Sequence, residues 1–214
     1  MGFVIAVDGP AASGKGVISV RLGALLGLPV LDTGLLYRAV GAAVGRAGGD
    51  LGDEAIAADA ARGLDPRLLE DPDLRGEAAG DAASRVAVHP AVRRALLQFQ
   101  RAFALREPGA VLDGRDIGTV IFPEAQAKFY VTATVEARAK RRWGQLAGQG
   151  HRVTYEETLA DIRRRDARDA ARQSAPMRPA PDAVLLDTTD LDIDGAFDAA
   201  RRIVEAARAR LEQS

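Results

Sequence analysis

The chain has 214 residues, 47% of them hydrophobic and 28% charged, with a formal net charge of −1. That length suits one main domain with a sizeable core, and the near-neutral balance argues against binding nucleic acid or membrane surfaces through a basic excess. Cysteine is absent, which excludes disulfides, thiolate zinc sites and cysteine nucleophiles. With no signal-like leader and no apolar run near the roughly 20 residues of a membrane span, a cytoplasmic protein is expected.

Phe3 to Val7 is a short apolar, β-branched run that reads as a buried parallel strand ending in Asp8-Gly9. Val17 to Leu26 has helical spacing and stops at Gly27-Leu-Pro29. Pro29-Val-Leu31 is a second strand. Asp32 or Thr33 caps a helix that passes Tyr37 and Val44 to Gly48-Gly49. Residues from about 50 to 88, rich in Ala, Asp, Gly and Arg, read as two weak helices and loops, an insertion in the main domain. A helix starts at Pro90, where proline suits the first turn. Ala110 to Asp113 and Lys128 to Thr132 are further strands. A helix runs from Val135 to about Leu146, and Gly148-Gln-Gly150 breaks it. Tyr155 to about Arg172 is a long charged helix ended by Ala175-Pro176. Ala183 to Asp187 is the fifth strand, and Gly195 to Leu211 an amphipathic helix. Apolar strands alternating with helices mean an α/β fold, a parallel sheet covered on both faces. Ligands in such folds bind at the carboxyl ends of the strands, where Gly9, Asp32, Asp113 and Thr132 fall.

The first strand leads into Gly9-Pro10-Ala11-Ala12-Ser13-Gly14-Lys15-Gly16, which fits G-x-x-x-x-G-K. Glycines there let backbone N–H groups surround phosphate oxygens, and the following helix adds its positive end. Lys15 is placed to reach the β- and γ-phosphates of a nucleotide. It stands out because the basic residues are almost all arginine; the lysines are Lys15, Lys128 and Lys140. Gly16 and Val17 carry no hydroxyl where the general motif has Ser or Thr. Either magnesium is held by the nucleotide, waters and an acid such as Asp8 or Asp113, or Val17 packs inward and Ser13 covers the lost bond. No N-K-x-D segment is present, which disfavours a GTPase. A nucleotide-binding module without catalysis, or a kinase for another monophosphate or a sugar, are the competing readings.

Four more segments follow: Leu31-Asp-Thr-Gly-Leu-Leu-Tyr-Arg38, Asp113-Gly-Arg-Asp-Ile-Gly-Thr-Val-Ile-Phe-Pro123, Arg165-Asp-Ala-Arg-Asp-Ala-Ala-Arg172 and Leu185-Leu-Asp-Thr-Thr189. With the loop, and in this order, they resemble the bacterial cytidylate kinases over nearly the whole chain. The resemblance implies a P-loop NTPase three-layer sandwich with a five-stranded parallel sheet. It implies a core at 1–49 and 106–214, a monophosphate-binding insertion at about 50–105 and a short lid at about 148–172. It also implies a monomer that, with Mg2+, transfers the ATP γ-phosphate to CMP or dCMP. This family commonly has Thr where Val17 stands.

Phosphoryl transfer needs positioned positive charge more than covalent chemistry, and arginine contacts phosphate in planar, bidentate fashion. Arg38, Arg115 and Arg172 match family positions near the acceptor phosphate or the transferring group. Arg165, Arg168, Asp169 and Arg172 are spaced to share one helix face. The resemblance puts Arg165 and Asp169 near the sugar and lets Arg168 and Arg172 close over the phosphates. The alternative is a solvated face with Asp161 pairing Arg165. Lys15, Arg115, Arg168 and Arg172 are thus the expected catalytic group. Arg138, Arg141 and Arg142 share another face. Arg141 is expected at ATP, whereas Arg138 and Arg142 either meet ATP or form plain surface. A cytosine-reading site needs an acceptor for N4 and donors for N3 and O2, and Asp116, Arg93 and Ser84 match the family's base-contacting positions. Plain exposure is the alternative for Ser84 and Arg93, helix capping for Thr33, core packing for Tyr37 and a tight turn for Asp113. Otherwise Thr33 and Tyr37 join the substrate site, and Asp113 orients magnesium through water. His89 and His151 have no partner pattern.

Overall fold

The computed structural model describes residues 2–213. Its strands are β1 (Phe3–Asp8), β2 (Val30–Asp32), β3 (Gly109–Gly114), β4 (Ala127–Thr132) and β5 (Val184–Asp187). All pair in parallel, in the order β2-β3-β1-β4-β5. The helices are α1 (Lys15–Leu26), α2 (Thr33–Arg46), α3 (Glu54–Arg62), α4 (Glu77–Val86), α5 (Pro90–Ala104), α6 (Val135–Gly148), α7 (Tyr155–Ala170) and α8 (Ile193–Glu212). Two 3-10 turns, Pro66–Glu70 and Pro72–Arg75, link α3 to α4, and a π-helical turn spans Ile117–Ile121.

Side chains alternate across a strand, and β1 divides the interior accordingly. Val4 and Ala6 join Leu112, Leu36, Val40, Val86, Val92 and Leu96 on one face, so residues 50–105 share a core with the sheet. Ile5 and Val7 join Val111, Phe129, Val131, Ile18, Leu22, Ala200 and Val204 on the other. The result is the three-layer α/β sandwich of a P-loop NTPase. None of the described helices is long and apolar enough to cross a membrane.

Local chemistry sets most boundaries. The Asp32 carboxylate accepts from the Gly34 N–H at 2.9 Å and caps α2. Thr33 does not; its hydroxyl donates to the Asp113 carbonyl at 2.8 Å, tying α2 to the end of β3. Thr154 and Glu157 form a capping box at the start of α7. That helix stops at Ala170, sooner than its charged run suggests. The chain turns back there, and the Met177 N–H donates to the Asp169 carbonyl at 3.1 Å. Arg172 therefore lies beyond α7.

Candidate active site

The phosphate loop joins β1 to α1 at the carboxyl edge of the sheet. Gly9 has φ of 147°, and a Cβ there would lie 2.0 Å from the Val131 carbonyl oxygen. Gly14 has φ of 92° and forms the left-handed N-cap of α1. Both positions require glycine. Ala12 to Ile18 line a cavity of about 740 Å³ together with Arg141, Arg142, Gln145, Leu191 and Ile193. Its size suits a nucleotide. Val17 is 46% exposed and lines this cavity, so it does not pack inward. The Ser13 hydroxyl is buried without a hydrogen-bond partner among the described residues.

Arg141 donates to the Thr188 hydroxyl at 3.0 Å and to the Thr188 carbonyl. The Thr188 hydroxyl is 2.9 Å from the Ser13 carbonyl, linking Arg141 to the phosphate loop. Thr188 lies in the Leu185–Thr189 segment, but its type alone gave no sign of this role. Arg138 fits neither expectation. It is buried and donates to the Ala11 carbonyl at 3.2 Å and to Asp166 at 2.6 Å.

A second cavity, of about 100 Å³, is lined by Lys15, Asp32, Thr33, Tyr37, Arg38, Ser84, Arg93, Arg115, Asp116, Arg165, Asp169 and Arg172. Lys15 lines both cavities. At the inner end Arg93 is paired with Asp116, both buried, and the Arg93 guanidinium lies 5.6 Å over the Tyr37 ring. Ser84 is also buried, and its hydroxyl has no hydrogen-bond partner. Plain exposure is thus excluded for Ser84 and Arg93. Tyr37 belongs to the core and to the cavity wall at once. Arg38 is held by the insertion through the Leu74 and Gly76 carbonyls at 2.7 and 3.2 Å.

Asp169 is shared by Arg115, at 3.3 Å, and Arg172. Arg168 is not in this cavity's lining and pairs with Asp81 of α4 at 2.5 Å. Asp161 pairs Arg164, not Arg165. Arg165 remains on the cavity wall, where burial and then the neighbouring Arg115 and Arg38 push it down to about 10. Burial also lowers Arg172 and Arg38. Crowded, partly desolvated cations of this kind favour an anion between them.

At the junction Lys15 Nζ lies 3.5 Å from Asp113 Oδ1. Burial pushes the ammonium down, and Arg115 adds to this; Asp113 opposes it. Burial pushes the Asp113 carboxyl up, and Lys15 opposes that. Asp8 is not free to hold a metal. Its two oxygens accept from the Ile117 and Gly118 N–H groups at 2.7 and 2.8 Å, which fixes the turn after Asp116. Among the described residues, no group of three or more His, Asp or Glu side chains is arranged to hold a metal.

The chain matches the family described as Cytidylate kinase over residues 5–207. It is 65% identical over 210 residues to a cytidylate kinase of Caulobacter vibrioides (strain NA1000 / CB15N), covering 98% of this chain and 99% of the relative. It is 61% identical over 207 residues to a cytidylate kinase of Xanthobacter autotrophicus (strain ATCC BAA-1158 / Py2), covering 97% and 99%. A crystal structure of an uncharacterized protein from Eubacterium ventriosum ATCC 27560 superposes with a TM-score of 0.53 at 14% identity, covering 96% of this chain and 98% of that one, a likeness of fold. The order of motifs, the two cavities meeting at Lys15 and these relatives agree: the chain belongs to the cytidylate kinase family.

Proposed function

We propose that this chain transfers the γ-phosphoryl group of ATP to CMP or dCMP, giving ADP and CDP or dCDP. The observation that carries the reading is the meeting of the phosphate-loop cavity and the arginine-lined cavity at Lys15. A phosphate oxygen of the monophosphate attacks the γ-phosphorus, and the bond from that phosphorus to the β–γ bridging oxygen breaks. The acceptor oxygen is already anionic near neutral pH, since a phosphate monoester has its second pKa at about 6. No side chain need act as a base.

Gly9 to Val17 and Arg141 bind ATP, and Lys15 follows the charge moving from γ-phosphate to ADP. Arg115 and Arg172 hold the transferring group from the acceptor side, and Arg38 and Arg165 hold the acceptor phosphate and sugar with Asp169. The Arg93–Asp116 pair reads the base, Asp116 accepting from N4 and Arg93 donating to N3 and O2. Ser84, Thr33 and Tyr37 complete that wall. Magnesium fits as an ion that arrives with the nucleotide and keeps most of its waters. Asp113 would hold those waters, and the bound ion would offset phosphate charge. Residues at about 50–105 act as the monophosphate-binding insertion and about 148–172 as the lid of a monomeric, cytoplasmic enzyme.

The test is ADP release from Mg·ATP with CMP, dCMP, UMP or AMP as acceptor. CMP and dCMP should be used best; turnover with only another monophosphate would overturn the assignment. Asp116→Ala should raise the KM for CMP by about 10- to 100-fold, the 1–3 kcal/mol of a base contact. The KM for ATP should hardly move; equal losses would remove Asp116 from base reading.

A further inference from the structure

We propose that Arg138 is a positioning residue that couples the two nucleotide sites to each other. The inference rests on the reading that the phosphate-loop cavity takes ATP and the arginine-lined cavity takes CMP. Arg138 belongs to α6, yet its side chain is only 6% exposed and reaches into the phosphate loop. Its Nη1 donates to the Ala11 carbonyl at 3.2 Å and its Nε to the Ala133 carbonyl at 3.0 Å. Two further donors meet Asp166 of α7, Nη1 to Oδ1 at 3.2 Å and Nη2 to Oδ2 at 2.6 Å.

Each end of this link touches a binding site. The Ala11 carbonyl and the Ala12 N–H belong to one planar peptide, so fixing the oxygen fixes the direction of the N–H. Ala12 lines the nucleotide cavity and has φ of 60°. That left-handed conformation costs a non-glycine residue about 1–2 kcal/mol, so neighbouring contacts must hold it. At the other end, Asp166 follows Arg165 directly and precedes Asp169 by less than one turn of α7. Arg165 and Asp169 both line the arginine cavity. A phosphate seated on the loop therefore steadies the Ala11–Ala12 peptide, then the guanidinium, then the segment of α7 that faces the monophosphate. The arrangement is specific to arginine, because the compact ammonium of a lysine lacks the planar fork that spans these separated acceptors.

Coupling between sites is reciprocal and commonly amounts to a factor of about 5 to 150. The experiment is titration calorimetry of CMP with and without saturating magnesium and a non-hydrolysable ATP analogue. It uses the wild-type chain, Arg138→Lys, Asp166→Asn and the conservative Asp166→Glu. The analogue should tighten CMP by at least about 5-fold in the wild type. In Arg138→Lys and Asp166→Asn that factor should fall to within about 2-fold of one, with Asp166→Glu recovering part of it. Trp143, the single tryptophan, lies on the same helix and donates to the Val153 carbonyl at 3.0 Å. Its emission should change when both ligands bind to the wild type, and this joint change should be lost in Asp166→Asn. Asp166 is 25% exposed, so that variant is expected to fold even if Arg138→Lys does not. A brace that served stability alone would lower the melting temperature and leave the coupling factor unchanged in Asp166→Asn; that result, or no coupling in the wild type, overturns the proposal. Failure of the functional reading is separate, since the wild type would then not bind CMP or the analogue at all.

Discussion

Two residues of the site are unusual in what they lack or hold. Val17 lines the nucleotide cavity with no hydroxyl and is 46% exposed. Val17→Thr should change stability by no more than about 0.5 kcal/mol, as for surface substitutions. A new hydrogen bond of about 1 kcal/mol should lower the KM for Mg·ATP by about 5-fold. Unchanged steady-state kinetics would mean that the hydroxyl is dispensable here. Asp8 is buried and its carboxyl is pushed up from 3.8 to about 7, chiefly by burial, against the two backbone N–H groups it accepts. Its folded pKa lies above the unfolded value, so the native state holds the extra proton between about 4 and 7. Stability from this group is therefore greatest at low pH, falls as pH rises through that window and is level above it. Asp8→Asn should flatten this slope in urea unfolding between pH 5 and 8. Near pH 4, below that window, it should cost about 1–3 kcal/mol, since one N–H is left without an acceptor. An equal slope in both proteins would show that Asp8 does not carry it.

At the level of elements, the helices were readable where the signal was local. Pro90 opens α5 and Gly27 ends α1. What the helices touch was not readable. The spacing of Arg165, Arg168, Asp169 and Arg172 put all four on one helix face. Packing of α7 against α4 instead gives Arg168 to Asp81, and the early end of α7 frees Arg172 to pair with Asp169 across a turn. Arg168 and Asp81 are 31% and 52% exposed, so their bridge belongs to the class worth about 0–1 kcal/mol. Arg168→Ala and Asp81→Ala should each raise the KM for CMP by similar factors, no more than about 5-fold. A fall in kcat of about 10-fold or more in Arg168→Ala alone would return this arginine to the transferring phosphate. Arg138 shows the same limit: its helix position suggested ATP or solvent, and only the approach of α6 to the loop gave it Ala11 and Asp166.

Across the whole molecule, the sheet carries the site, because β1, β2, β3 and β4 end together and bring Asp8, Asp32, Asp113 and Thr132 to one edge. Phe129 of β4 is fully buried in the core between the sheet, α1 and α8. Phe129→Ala should cost about 3–5 kcal/mol in urea unfolding; a loss under about 1 kcal/mol would show that this face is not a packed core. By itself the sequence determined the strands, most helix ends, the phosphate loop and the list of polar residues from which the sites are made. Apolar runs, proline and the φ requirements of Gly9 and Gly14 act within a few residues of chain, so they are legible locally. Only the tertiary structure decided which guanidinium meets which acceptor. Arg168 and Asp81 are 87 residues apart and Arg138 and Ala11 are 127 apart. A long, flexible guanidinium bonds whatever acceptor the packing of distant elements brings within reach, and nothing in its own neighbourhood of sequence names that acceptor.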